Sequence, residues 1–96
     1  PSPQTATITL RARLGAPLKD PDVHRNVVAA AHALAERIGI PILHLQAGED
    51  ALTVTLQTSR IGAVGFAAEL RRITNAWYTR HHDASLWGAD PGEDLP

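Results

Sequence analysis

Threonine, arginine and histidine recur in this chain at the two-residue spacing that sets side chains on one side of a β-strand. Thr5, Thr7, Thr9, Arg11 and Arg13 alternate with Ala6, Ile8, Leu10, Ala12 and Leu14, and two later runs add Ile42, His44, Gln46 and then Thr53, Thr55, Gln57. Brought together on one sheet face, the Arg11 and Arg13 guanidiniums and the His44 imidazole would stand among hydroxyls and amides. Arginine offers planar, bidentate contacts to carboxylate or phosphate, so this array is able to hold an anion. The same residues can equally form a solvated face or meet a second sheet. The three runs carry no Phe, Tyr or Trp, which argues against single-stranded nucleic acid stacking on them.

Other residues invite chemistry less strongly. His24 and His32 are eight positions apart and miss the i, i+4 spacing that puts two imidazoles on one ion. His81-His82-Asp83 offers three ligand types in a row, yet adjacent residues seldom converge without a further ligand from elsewhere. Ser85 near His81 and His82 has no orienting partner in any nucleophile motif, and the chain has no Cys. Gly62-Ala63-Val64-Gly65 places glycine near a helix start without the rest of a phosphate-binding fingerprint. A terminal Pro1 is similar to the catalytic base of the tautomerase superfamily, but there Pro begins the first strand, whereas Pro1 to Gln4 here precede the alternation. Neither a metal nor a cofactor is therefore expected, and no catalytic residue is assigned.

Two further groups suggest binding. Arg60, Arg71, Arg72 and Arg80 make one helix and its exit the most cationic segment, a weak nucleic-acid signal in a protein of pI about 6.6. Glu69 offsets one of these charges, and a solvated amphipathic face explains the rest. Trp87 lies beyond that helix in a segment too short to support itself, so it must pack on the sheet or anchor in a partner, as interaction hot spots do.

Several elements must position these residues. The first alternation predicts a half-buried strand over Thr5 to Leu14. Asp20, Pro21 and Asp22 form an N-cap, an N1 proline and a first-turn acid for a helix with a buried stripe of Val23, Val27, Ala30, Ala31, Leu34 and Ile38, ended by Gly39. Ile40 to Gln46 and Ala51 to Gln57 predict a hairpin. A four-residue loop over Ala47 to Asp50 would face Leu45 with Leu52, Leu43 with Val54 and Pro41 with Leu56. Pro41 places its strand at a sheet edge. Thr58 or Ser59 caps a second helix to about Tyr78, with a stripe of Ala63, Phe66, Ala67, Leu70, Ile73 and Trp77, and close packing on the sheet is the expected use of Gly62 and Gly65. Ala84 to Trp87 predict a short fourth strand.

The order β-α-β-β-α with right-handed crossovers implies an α+β, two-layer, ferredoxin-like sandwich with both helices on one face of an antiparallel sheet. At 96 residues and 10.3 kDa one core is the expectation, as a single domain over residues 1–88 and an acidic tail over 89–96. Residues 1–82 hold nine bases against six acids, a charge of +3, whereas the remainder carries Asp83, Asp90, Glu93 and Asp94 without a base, a charge of -4. No apolar run approaches the roughly 20 residues of a membrane span, and Pro1 to Thr9 carry no positive charge, so a cytoplasmic setting without membrane contact is expected.

The functional expectation is a non-catalytic binding or accessory module, self-associating or docking to a larger protein through the open sheet face and Trp87. Three alternatives stand beside it. The element order, with Gly15 and Pro17 after the first strand, is similar to that of ACT-type regulatory domains, and the resemblance implies sensing of a small anion or amino acid; it is one of topology alone. A cofactor-free enzyme would use His44 with Arg11 or Arg13, and a nucleic-acid binder would use the four helix arginines.

Overall fold

A computed structural model describes residues 4–13, 15–82 and 86–87. The main elements are β1 (Ala6–Arg11), α1 (Pro21–Ile38), β2 (Ile42–Ala47), β3 (Ala51–Leu56) and α2 (Arg60–His82), with a short 3-10 turn at Pro17–Lys19 before α1. The sheet order is β1-β3-β2 and both pairings are antiparallel. The two helices pack on the sheet, and one apolar core joins Ile8, Leu10, Leu52, Val54 and Leu56 of the strands to Val27, Leu34, Phe66 and Leu70 of the helices.

The helix ends follow local chemistry. Asp20 Oδ1 accepts from the Asp22 N–H at 2.9 Å, satisfying one orphan donor of α1. Gly39 adopts φ 74°, and the Ile40 N–H returns to the Ala35 carbonyl at 3.0 Å, a Schellman closure that turns the chain directly into β2. Ser59 caps α2 through the Gly62 N–H at 3.1 Å. That helix runs one turn further than Tyr78, so His81 and His82 lie within its last turn.

The hairpin departs from the expected register. Ala47 joins β2, the loop tightens to residues 48–50, and the Gly48 N–H bonds the Ala51 carbonyl at 2.8 Å. Leu45 consequently faces Val54 and Ala47 faces Leu52, a shift of two residues that keeps Leu45 on its intended side. A bulge then interrupts β2, with Ile42 opposite Leu56 and His44 opposite Thr55. The extra residue is Leu43. It is 51% exposed rather than in the core, while Ile42, expected on the open face, packs against the core. Pro41 does precede an edge strand, as its missing donor requires.

The helical stripes are also adjusted at their ends. Ala35 rather than Ile38 completes the buried face of α1, and Ile38 is 45% exposed. On α2 Thr74 takes the fully buried position expected of Ile73, and Leu18, on the 3-10 turn, enters the core and bonds the Glu49 carbonyl through its N–H at 3.0 Å.

Trp87 explains Thr74. Of the two expectations, packing on the sheet or anchoring in a partner, the first holds: Trp87 is 3% exposed and packed in this chain's own core. Its indole Nε1 donates to Thr74 Oγ1 at 2.8 Å, and that hydroxyl donates to the Leu70 carbonyl at 2.7 Å. The Leu86 N–H is taken by Asn75 Oδ1 at 2.7 Å, the Arg13 N–H donates to the Leu86 carbonyl at 3.0 Å, and Trp87 forms an antiparallel bridge with Ala12. Among the described residues the expected fourth strand is therefore a single bridge on the outer edge of β1. Leu14, Ala84 and residues 89–96 lie outside the described residues.

Close sheet packing is not what Gly62 and Gly65 serve. A Cβ on Gly62 would lie 2.2 Å from Thr58 Oγ1, whereas one on Gly65 meets nothing within 4 Å. Gly65→Ala should stabilise the chain by about 0.5–1 kcal/mol through helix propensity, with Gly62→Ala gaining less or losing stability, in paired thermal melts. Thr74→Val keeps the shape but strands the Trp87 N–H, and urea denaturation should show a loss of about 1–3 kcal/mol.

Candidate functional site on the open sheet face

Alternation puts Thr7, Thr9, Thr53 and Thr55 on the side of the sheet away from the core, and the register lines them up in rows. Thr7 pairs with Thr55 and Thr9 with Thr53; their hydroxyl oxygens are 2.9 Å and 3.3 Å apart. Each pair shares one hydrogen bond, which satisfies half of a polar surface internally and gives the centre of the face a neutral, ordered grid.

The ionisable candidates stand at its margins. Arg11 lies opposite Ala51 at one end of β1, and His44 lies opposite Thr55 on β2; both are exposed. Four residues along β3 at about 3.3 Å each, crossed with two strand spacings of about 4.8 Å, separate their backbones by about 16 Å. Because strand side chains stand nearly perpendicular to the sheet, the guanidinium and imidazole project side by side and do not converge on one small anion. Arg13 has left the grid, its backbone engaged with Leu86.

The four arginines of α2 do not form one patch. Arg60 and Arg80 sit at opposite ends of the helix, about 30 Å apart at 1.5 Å per residue. Arg60 borders a groove with Thr5, Thr7 and Val64, while Arg71 and Arg72 border another with Ala68 and Asn75. Arg72 pairs with Glu69 one turn away, and Arg37 of α1 approaches the same carboxylate at 4.0 Å. Hydrogen bonding from Arg72 holds the Glu69 carboxyl below its ordinary value against partial desolvation, with the charges of Arg72 and Arg37 assisting. The same hydrogen bond raises Arg72.

The histidines of α2 are occupied by aromatic neighbours. The His81 ring lies 4.7 Å from that of Trp77, and its Nδ1 donates to the Trp77 carbonyl at 2.8 Å; His82 stacks on Tyr78 at 4.3 Å. Trp77 is half-buried and packs against the core. No group of three or more His, Asp or Glu among the described residues could hold a metal ion. Asp83, Ser85 and Pro1 lie outside the described residues. At the glycine-bearing start of α2, the Gly62 and Ala63 N–H groups are taken by Ser59, the latter at 2.9 Å to its carbonyl, which leaves them no role in cradling a phosphate. No described helix is long and apolar enough to cross a membrane.

Thr7 and Thr9 were visible as part of the alternation, but their pairing with Thr55 and Thr53 needed the register. Leu43 was missed because a bulge leaves no mark in a run of apolar residues. The chain matches no protein-family model and no curated protein.

The Glu69 carboxyl adds stability above its unfolded value of about 4.3 and loses it as pH falls through its lowered folded value. Glu69→Gln should therefore melt slightly below the parent chain at pH 7, and the gap should close on acidification and in high salt. A gap that persists at low pH would show that the charge is not its source.

Proposed function

We propose that this chain is a non-catalytic protein-binding module of ferredoxin-like architecture, working through the open face of its sheet. The reading of the fold is supported by the order β1-β3-β2, by a helix after β1 and another after β3, and by the Ala12–Trp87 bridge where a fourth strand would lie beside β1. The functional reading rests on one observation: the polar groups of the open face are spread in paired threonine rows with Arg11 and His44 about 16 Å apart, the layout of a contact surface rather than of a reaction centre. Trp87 takes no part, being held in the core.

A surface of three six-residue strands measures about 20 Å by 14 Å, or roughly 280 Å² in outline, against about 800 Å² per partner in a standard interface. Binding through one such face alone is accordingly weak and transient. A photo-crosslinking residue at Thr55 should give a discrete protein adduct in the producing cell, and the same residue at Ala76 on α2 should not. Adducts of equal yield from both positions, or none from Thr55, would overturn the reading.

A further inference from the structure

The start of α2 leaves room beside β1. A groove of ≈ 390 Å³ is lined by residues 5–8 on the strand side and by Arg60, Ala63 and Val64 of α2. No residue of β3 borders it, so it lies along the outer edge of β1, the edge that Leu86 and Trp87 meet further on. Among the described residues nothing pairs with that edge before Ala12. The Ala12 N–H goes to the Asp50 carbonyl and the Arg13 N–H to that of Leu86. Backbone groups alternate in direction along a strand, so the N–H groups of Thr5, Thr7 and Thr9 point to the outer edge with that of Arg13. Such an edge is a template for a further strand.

We infer that residues 88–95 of this chain fill the groove, continuing the Ala12–Trp87 bridge in register as a fourth strand antiparallel to β1. That register sets Ala89 opposite Leu10, Asp90 opposite Thr9, Pro91 opposite Ile8 and Glu93 opposite Ala6. Three features of the sequence fit it. Trp87, Ala89, Pro91 and Leu95 share the helix side, while Gly88, Asp90, Gly92 and Asp94 fall on the open face, the alternation of a half-buried strand. Even-numbered residues of the segment turn their backbone groups to β1, as Leu86 does, so Pro91 lacks its donor on the solvent side, where an edge strand tolerates proline. The segment carries Asp90, Glu93 and Asp94 and no base. Glu93 is its one charge on the helix side, and the exposed Arg60 borders the groove there. Asp90 is diagonal to Arg11 on the open face.

The lengths agree with the charges. Asn75 holds the Leu86 N–H at one end of the path. From Asn75 back to Arg60 the helix travels about 22 Å, and from Leu86 to Glu93 a strand travels about 23 Å, so the carboxylate arrives level with the guanidinium. A strand placed in this way closes the β1 edge to other chains and widens the open face by one spacing of about 4.8 Å. The inference rests on the bridge and the groove and not on what the open face binds.

Amide hydrogen exchange on the full chain tests it, read at the Thr7 and Thr9 N–H groups, with those of Ile8 and Leu10, which face β3, as the control for folding. Thr7 and Thr9 should exchange about tenfold or more slowly than in an unstructured chain, independently of protein concentration. Gly92→Pro removes a donor aimed at β1 and should abolish that protection, whereas Ala89→Pro removes one aimed at solvent and should keep it. Arg60→Glu should speed exchange at Thr7 about threefold, and the double exchange Arg60→Glu with Glu93→Arg should reverse the effect. Thr7 and Thr9 amides that exchange freely while Ile8 and Leu10 are protected overturn the inference. So does protection that rises with concentration, which would put a second copy on the edge, or Gly92→Pro and Ala89→Pro variants that behave alike, or a double exchange that reverses nothing.

Discussion

The hydrogen-bond chain from the Trp87 indole through the Thr74 hydroxyl to the Leu70 carbonyl organises this small domain. An indole is the largest apolar group the chain can bury, but its N–H must find an acceptor in a dry interior. Thr74 supplies it without breaking α2, because its own proton goes back to the carbonyl four residues earlier. With Trp87 seated, Leu86 is drawn against Asn75 and Arg13, and the outer edge of β1 is met by the chain's own backbone. No described buried side-chain polar atom is left without a partner. Among the described residues the core is thus closed within one chain.

The open face and the β2 edge are shaped by one inserted residue. The bulge at Leu43 reverses the sides of Ile42 and Leu43 while leaving Leu45 packed against the core. It moves an aliphatic side chain from the interior to the sheet margin, beside a groove between α1 and β2. A continuous strand would have buried Leu43 and left Ile42 among the threonines. The exposed apolar character of this edge is a consequence of register, and register follows from the three-residue loop that Gly48 closes.

Charge plays a smaller part than composition suggests. Of the nine bases in residues 1–82, Arg72 is tied to Glu69 and Arg25 to Asp22, and the α2 arginines are distributed over the length and sides of the helix. Exposed pairs of this kind contribute little to stability. The α2 arginines border separate grooves rather than one.

Much of the architecture was determined by sequence alone, because it depends on neighbours in the chain. The cap at Asp20, the stop at Gly39, the edge position signalled by Pro41, the β-α-β-β-α order and the threonine face all follow from local propensity and periodicity. Tertiary structure decided what depends on residues distant in sequence. Thr74 looks like an interruption of an apolar stripe until Trp87, thirteen residues later, arrives at its hydroxyl. Leu43 looks like core until β3 sets the register. His32 and Glu36 are separate polar positions in the sequence until β2 folds back to make them the rim of a groove. Periodicity reports which side of an element is apolar; only the packing of one element on another reports what each exposed group faces.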